Sequence, residues 1–490
     1  MKKRIFFLAF VLISLVSCTK YEIIFDKEAN EDFELSLILN LNGIDCAYDA
    51  ATNTLRYSAS QAELSNFEPR VVFQDYTEVT FGGVELTNYS KNSLGSLQLN
   101  KRYPIEFETK EKATTLYLEF TSVPVVQIVT LDLVHKEEKI LGKLTVHYPE
   151  KRFPDLTTFV GVEYRGKSSL ALPKKSYGIK PLSSANLEDV KKVSFFGYRP
   201  NDKWSFDALY NDPSKIRNKL SYEVWKSMNH PSIESNYVEV FINNESQGIF
   251  RLGEVYTQSK LQLAQGSRLY KGLDNSKFTK FTDYSQRLPR SAIWADWEQE
   301  FPDPKTEISW NSFQEFAKLV VKGSNQEFTL SINQQLDLQQ VIDYYLFVQL
   351  CYAKDNVGKN WFYLKQSANS PFQILLWDVD ATWGRDENGS NVSHRLLVEN
   401  GLFDRLIQLN PDNAKAKIKT RWTELRNNQF STSQLFLLID NELSAIENHG
   451  VIQKETAIWG QTLNLRNEQT YLNNWLSNRL NFLDDYFNNL

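Results

Sequence analysis

Cysteine is nearly absent from this chain: three in 490 residues, at Cys18, Cys46 and Cys351. So few, so far apart, make no disulfide framework and cannot complete a structural zinc site. The last two read as buried small hydrophobes. The five histidines are scattered without ligand spacing. Glycine (20) and proline (15) are too sparse for a fibrous or linker-rich chain, and 42% hydrophobic content makes folding the default. At this length two or more domains are expected. An excess of basic charge is missing too. Net charge is −5, and removing a leader with Lys2, Lys3 and Arg4 would leave the remainder more acidic. Such a surface does not neutralise a phosphate backbone, so no nucleic-acid partner is expected.

Long apolar runs are lacking after the start of the chain. MKKRIFFLAFVLISLVSC has a basic head and an apolar stretch of about a dozen residues, signal-peptide length and short for a membrane span. Leu15-Val16-Ser17-Cys18 resembles a bacterial lipobox, with Cys18 as the lipidated residue. The expectation is an exported protein, lipid-anchored to the outer membrane and touching the membrane only through that anchor. Thr19 and Lys20 give no inner-membrane retention signal.

Three segments follow from the patterning. Residues 1–18 are a lipoprotein leader. Residues 19–123 carry short alternating bursts such as TLRYSA and TTLYLEF, which predict an all-β immunoglobulin-like sandwich serving as a stalk or interaction module. Residues 124–490 begin with strands and end with helices, an α+β unit of two lobes. Within it, TTFVGVEY and KKSYGIKP form a hairpin-like pair across RGKSSLALP. Asp212-Pro213 predicts a helix start, with Ile216, Leu220, Val224 and Met228 as the apolar stripe. Residues 266–308 lack pattern and read as a mobile lid or insertion. Asp337 with Gln340 caps a long apolar helix that runs into AKDNVGKN.

The chemistry-bearing residues cluster around that helix end. Asp355 and Asn360 stand in D-x-x-x-x-N, and Asp378 and Asp380 close the apolar strand of FQILLWDVDATWG. Phosphoryl transfer asks for a carboxylate beside the acceptor hydroxyl and oxygen ligands for magnesium on the nucleotide phosphates. These acids and amide supply both, in the order protein kinases use. A strand-end D-x-D is also how many glycosyltransferases hold a nucleotide sugar through a metal. The hairpin 164–187 contributes Arg165, Gly166, Lys167, Lys174, Lys175 and Lys180 with no acid, an anion site or else a solvated basic edge. Arg217 falls inside the apolar stripe of its helix, so it either pairs with a buried carboxylate or reaches a phosphate. Glu254, ending GIFRLGEVY, either lines an adenine pocket or is a loop acid.

RGKSSLALPKKSYGIK, DKWSFDALYNDPSKIRNKLSYEVW, YVEVFINNESQGIFRLGEVY, AKDNVGKNWFYL and ILLWDVDATWG, in that order, resemble the spore-coat protein CotH family over about residues 124–430. The resemblance implies an atypical protein-kinase-like fold that moves phosphate from ATP to secreted or surface proteins with Mg²⁺ or Mn²⁺. It implies Asp355 as the catalytic Asp that receives the acceptor hydroxyl, Asn360 and Asp378 as metal ligands with Asp380 as the partner of Asp378, and Lys180 or Lys175 at the ATP phosphates; the reading of the residues adds Arg165, Gly166, Arg217 and Glu254 as nucleotide contacts. Lys167 stands where the family has asparagine. A non-catalytic surface adhesion protein of the same fold, or a metal-dependent glycosyltransferase, are the alternative expectations.

Overall fold

A computed structural model describes residues 38–150 and 152–490, so the lipobox and Cys18 lie outside the described residues. Residues 38–121 form two sheets that share one core, including Leu41, Val71, Leu55, Phe107 and Phe120. One sheet has four short strands and the other six. In the larger sheet Thr54–Ser58 runs parallel to Ala113–Thr121, whereas the expected immunoglobulin-like sandwich is built of antiparallel sheets.

The chain then enters a closed seven-stranded barrel. Its strands are β1 (Val125–Thr130), β2 (Ile140–His147), β3 (Leu156–Arg165), β4 (Ser176–Leu182), β5 (Trp204–Asp207), β6 (Ser235–Ile242) and β7 (Glu245–Glu254), in the order β1-β2-β3-β4-β5-β7-β6. Parallel pairing of β1 with β6 closes it. Side chains two apart point inward from each strand: Val126 and Ile128, Leu144 and Val146, Val160 and Val162, Tyr177 and Ile179, Val238 and Val240, Phe250 and Leu252. That phase puts Lys180, between Ile179 and Pro181, on the outside.

Helix α1 (Arg217–Ser227) leaves the barrel between β5 and β6. The sequence expectation of a start at Pro213 is corrected by four residues. Lys215 adopts a left-handed φ of 63°, which breaks the turn, although Asp212 still accepts the N–H groups of Ser214 and Arg217. Ile216, Leu220, Val224 and Met228 are all buried.

After the barrel comes an antiparallel sheet of β8 (Arg268–Gly272), β9 (Ile293–Trp294), β10 (Trp297–Phe301), β11 (Trp361–Lys365) and β12 (Gln373–Leu376), ordered β9-β10-β8-β11-β12. Residues 266–308 are therefore not a lid. They supply three strands, and Phe281, Trp294 and Trp297 are buried against Trp361 and Phe313. Burial of aromatics on this scale is worth more than the missing alternation. Helices α2 (Asn311–Lys322), α3 (Asn325–Gln335) and α4 (Leu338–Cys351) follow, then α5 (Gly401–Leu409), α6 (Ala414–Asn427), α7 (Thr432–Asn448), α8 (Val451–Trp459) and α9 (Leu465–Asn488). Asp337 caps α4, accepting the Gln340 N–H at 3.2 Å. Nearly every side chain of α4 is buried, which fixes its C-terminal end firmly in the core. Cys46 and Cys351 are free and buried, as expected.

Candidate functional site

Where α4 stops, Tyr352 turns left-handed (φ 53°) and the chain folds into a short 3-10 turn, Asp355–Val357. Asn356 anchors this turn. Its buried amide donates to the carbonyls of Asn360 (2.6 Å) and Trp377 (2.7 Å), while its own carbonyl accepts from the Tyr344 hydroxyl at 2.7 Å. One side chain thus ties the turn to the end of β12. Asn360 and Asp378, both with left-handed backbones (φ 58° and 52°), are brought side by side, and the Asn360 amide donates to the Asp378 carbonyl at 3.3 Å. Left-handed φ at non-glycine residues costs energy and recurs at functional sites.

The Asp355 carboxylate is held from two sides, by Lys359 Nζ at 2.9 Å and by Asn275 Nδ2 at 2.8 Å. Burial works against the charge on Lys359, yet its bond to Asp355, and Asp378 behind that, raise its pKa and keep it an ammonium. It sits electrostatically between the two acids.

Helix α1 grips the stretch after β12 along one face. Tyr222 accepts the Asp378 N–H at 2.9 Å, and Asn218 accepts the Val379 N–H at 3.3 Å. Arg217 donates to the Thr382 carbonyl at 3.1 Å, and Ser221 accepts from Trp383 at 2.9 Å. Positions 217, 218, 221 and 222 are neighbours on a helix surface. Asn218 also donates to Asp207 of β5 at 2.8 Å. Asp207 pairs across the barrel register with Arg251 of β7, at 3.1 Å. One buried Arg251 nitrogen, Nη1, has no partner.

Asp378 and Asp380, just beyond β12, lie open to water. Even so, desolvation by the protein packed around them, and then Asp207, raise the Asp378 pKa against the pull of Arg165, Arg251 and Lys271. Asp380 is raised further, by desolvation and then by Asp378 and Asp207. Arg165 lies over the Trp377 ring at 4.9 Å, and Lys271 over Phe362 at 5.8 Å. Among the described residues neither cation makes a hydrogen bond through its charged group to a carboxylate.

This donor set fits a hard divalent cation. The Asp378 carboxylate and the Asn360 Oδ1 accept no hydrogen bond from the described residues, and the like charges of Asp378 and Asp380 lack a direct counter-ion. No three His, Cys, Asp or Glu side chains among the described residues come together as a metal cage. The protein therefore offers part of a shell, as suits Mg²⁺, which keeps waters and substrate phosphates among its ligands.

The other sequence expectations fall in different places. Gly166 has φ 108°, and a Cβ there would meet Ser169 Oγ at 2.0 Å, so the RGKSS turn needs its glycine. Lys167 pairs with Asp274 at 3.1 Å, joining that turn to the loop that carries Asn275. Lys175 is spent on its own turn, donating to the carbonyls of Leu170 and Leu172. Lys180 bonds the Leu187 carbonyl at 2.9 Å on the outer barrel wall. Arg217 is corrected outright: it is fully buried and bound to Asp212, Ser214 and Glu468, with nothing left for a phosphate. Glu254 is buried, bonded to Lys260 and to the Glu234 N–H, with Oε1 unpartnered. Asp207, Asn218, Tyr222, Arg251, Asn275, Asn356 and Lys359 were not singled out in the sequence, although all but Asn275 lie within the blocks quoted above. The register of β5 with β7 and the face of α1 bring in the first four, and the turn after α4 with the loop at 275 brings in the rest.

Comparison with known proteins bears on the family of the chain. The family model for CotH kinase protein matches residues 162–483. Inner spore coat protein H of Bacillus subtilis (strain 168) is 23% identical over 239 residues, 48% of this chain and 61% of that protein, so less than two thirds of the relative's length is matched. A crystal structure of the Helicobacter pylori proinflammatory kinase CtkA aligns at 10% identity and TM-score 0.29, over 61% of this chain and 94% of that one. Because the family model matches more than half of the chain, from the end of β3 into α9, the chain belongs to the CotH kinase protein family.

Proposed function

We propose that this chain is an atypical kinase that transfers the γ-phosphoryl group of ATP to hydroxyl groups of secreted or surface proteins. The observation that carries the reading is the joint placement of Asp355, Asn360 and Asp378 by Asn356 and α1. Asn360, Asp378 and Asp380 would hold a divalent cation such as Mg²⁺, which would supply neutralisation of phosphate charge. The remaining work belongs to the chain. Asp355 orients the acceptor hydroxyl and takes its proton as the acceptor oxygen bonds to the γ-phosphorus and the bond to ADP breaks. Lys359 holds Asp355 in place and offers a positive charge to the transferring group. Arg165, Arg251 and Lys271 supply the cationic side of the cleft. Lys175 and Lys180 are engaged elsewhere, so Arg165 is the favoured phosphate contact from the basic hairpin.

Export and lipidation at Cys18 belong to the same reading and rest on the leader alone. Among the described residues no helix is long and apolar enough to cross a membrane. Metabolic labelling with a fatty acid should mark the wild type and not Cys18→Ser. The nucleotide reading is tested by thermal shift of the full chain with ATP, with and without Mg²⁺. Metal-dependent stabilisation in the wild type, lost in Asp378→Ala, is expected. Equal stabilisation in both would remove Asp378 from the metal site.

A further inference from the structure

Away from the cleft, a cavity of about 260 Å³ opens where the Ser122–Pro124 linker, the barrel, Lys219 of α1 and the end of α7 meet. We propose that this cavity is a binding site for a neutral polyhydroxylated ring, a single sugar unit. The proposal does not depend on the phosphotransfer reading.

Three observations carry it. The first is size, since sites for drug-sized molecules run to roughly 300–1,000 Å³, and this cavity lies just below that range. The second is charge. Lys219 is paired with Glu442 at 2.5 Å and Arg152 with Glu150 at 2.5 Å. Burial, and then the positive charge of Lys454, push the His449 pKa down to about 4, so its ring is neutral at ordinary pH. Among the described residues the ionic groups of the lining are paired with one another, so they offer no unpaired counter-ion to a phosphate or carboxylate, and taking up an unpaired charge there would be costly.

The third is the mixture of surfaces. Tyr148, Phe153 and Phe196 form an aromatic cluster with centroids 5.3–6.1 Å apart. Hydrogen-bonding capacity remains free beside it among the described residues. The Tyr148 oxygen is only a weak acceptor for the Phe196 N–H at 3.5 Å, leaving its O–H undirected. Asn236 uses its Nδ2 on Tyr198, leaving Oδ1 unused. His449 uses Nδ1 on Ser122, leaving Nε2. A flat face of C–H groups on the aromatics, with hydroxyls meeting neutral donors and acceptors, is the complement of that wall. An aliphatic ligand would strand the polar atoms, and an anion would find only charges already paired among the described residues.

Saturation-transfer NMR on the full chain tests this, irradiating protein aromatic protons in the presence of millimolar glucose, galactose, N-acetylglucosamine or glucuronate. Transfer to the ring protons of at least one neutral sugar is expected, several-fold weaker for glucuronate. Ala445→Trp, which fills the cavity, should abolish it at an unchanged melting temperature. Asn236→Ala should weaken it if the larger substitution disturbs folding, and Asp378→Ala should leave it intact. No transfer to any neutral sugar, undiminished transfer in folded Ala445→Trp, or equal transfer to glucuronate would each overturn the assignment.

Discussion

Asp355 is held by Lys359 and Asn275, and the proposed function makes it the group that receives the acceptor's proton. Asp355→Asn keeps the shape and removes the basicity. We expect transfer to fall by about 10²–10⁴-fold, the usual contribution of a general base, while nucleotide affinity stays close to wild type. The raised pKa values of Asp378 and Asp380 give a pH signature. Between the ordinary carboxylate pKa of roughly 3.9 and the raised values, the native state holds more protons than the unfolded chain, so metal-free stability declines as pH rises through that window. Metal needs the ionised carboxylates. Mg²⁺ affinity should therefore weaken on acidification before ordinary aspartates titrate, and Mg²⁺ should raise the melting temperature more at neutral than at mildly acid pH. Calorimetry across pH checks both directions. Tyr222 acts through Asp378, by accepting its N–H. Losing one hydrogen bond of about 1 kcal/mol in Tyr222→Phe should raise the Mg²⁺ concentration for half-maximal activity roughly fivefold, with the KM for acceptor unmoved. The motif residues Asp355, Asn360 and Asp378 were visible in the sequence because each lies in a short contiguous block. The pairing of Asp207 with Arg251 was not, since it is a strand-register relation across 44 positions.

At the scale of elements, helix α1 joins the barrel to the stretch after β12, and Arg217 is its buried anchor. Arg217→Ala would leave Asp212 and Glu468 without their buried partner, although Arg385 also pairs with Glu468. A loss of about 3–5 kcal/mol is expected from breaking such a pair, read as a lowered midpoint in urea unfolding. Its charge inside an apolar stripe was the sequence clue, and periodicity alone left phosphate and carboxylate partners equally open. The same limit explains residues 266–308. Strands of two and five residues carry too little alternation to register, and the aromatics that bury them pair with residues far along the chain.

For the whole molecule, the N-terminal module is joined closely to the rest, which the stalk expectation did not anticipate. Buried Arg56 bridges Glu119 of its own module and Glu239 of β6, and Glu239 in turn holds Lys454 of α8. His147 of β2 meets the Ser58 carbonyl at 2.8 Å, and Asn100 donates to the Asn448 carbonyl. Salt bridges between separate sheets leave no local pattern in a sequence. Arg56→Ala should lower the melting temperature of the barrel and the module together, in one transition. Two resolved transitions, with only the first shifted, would mark the module as an independent stalk. The resemblance read over about residues 124–430 and the family match over 162–483 overlap but differ at both ends.

The central claim is that one cleft brings Asp355 to an acceptor hydroxyl and Asp378 to metal-bound phosphate. The direct measurement is transfer of label from γ-labelled ATP with Mg²⁺ to the chain itself and to casein-like acceptors, for wild type, Asp355→Asn and Asp378→Ala in parallel. The account predicts label in the wild type only, with Asp355→Asn still binding nucleotide and Asp378→Ala no longer doing so in a metal-dependent way. Label that survives either substitution would contradict it, as would a wild type that neither binds ATP nor transfers its phosphate.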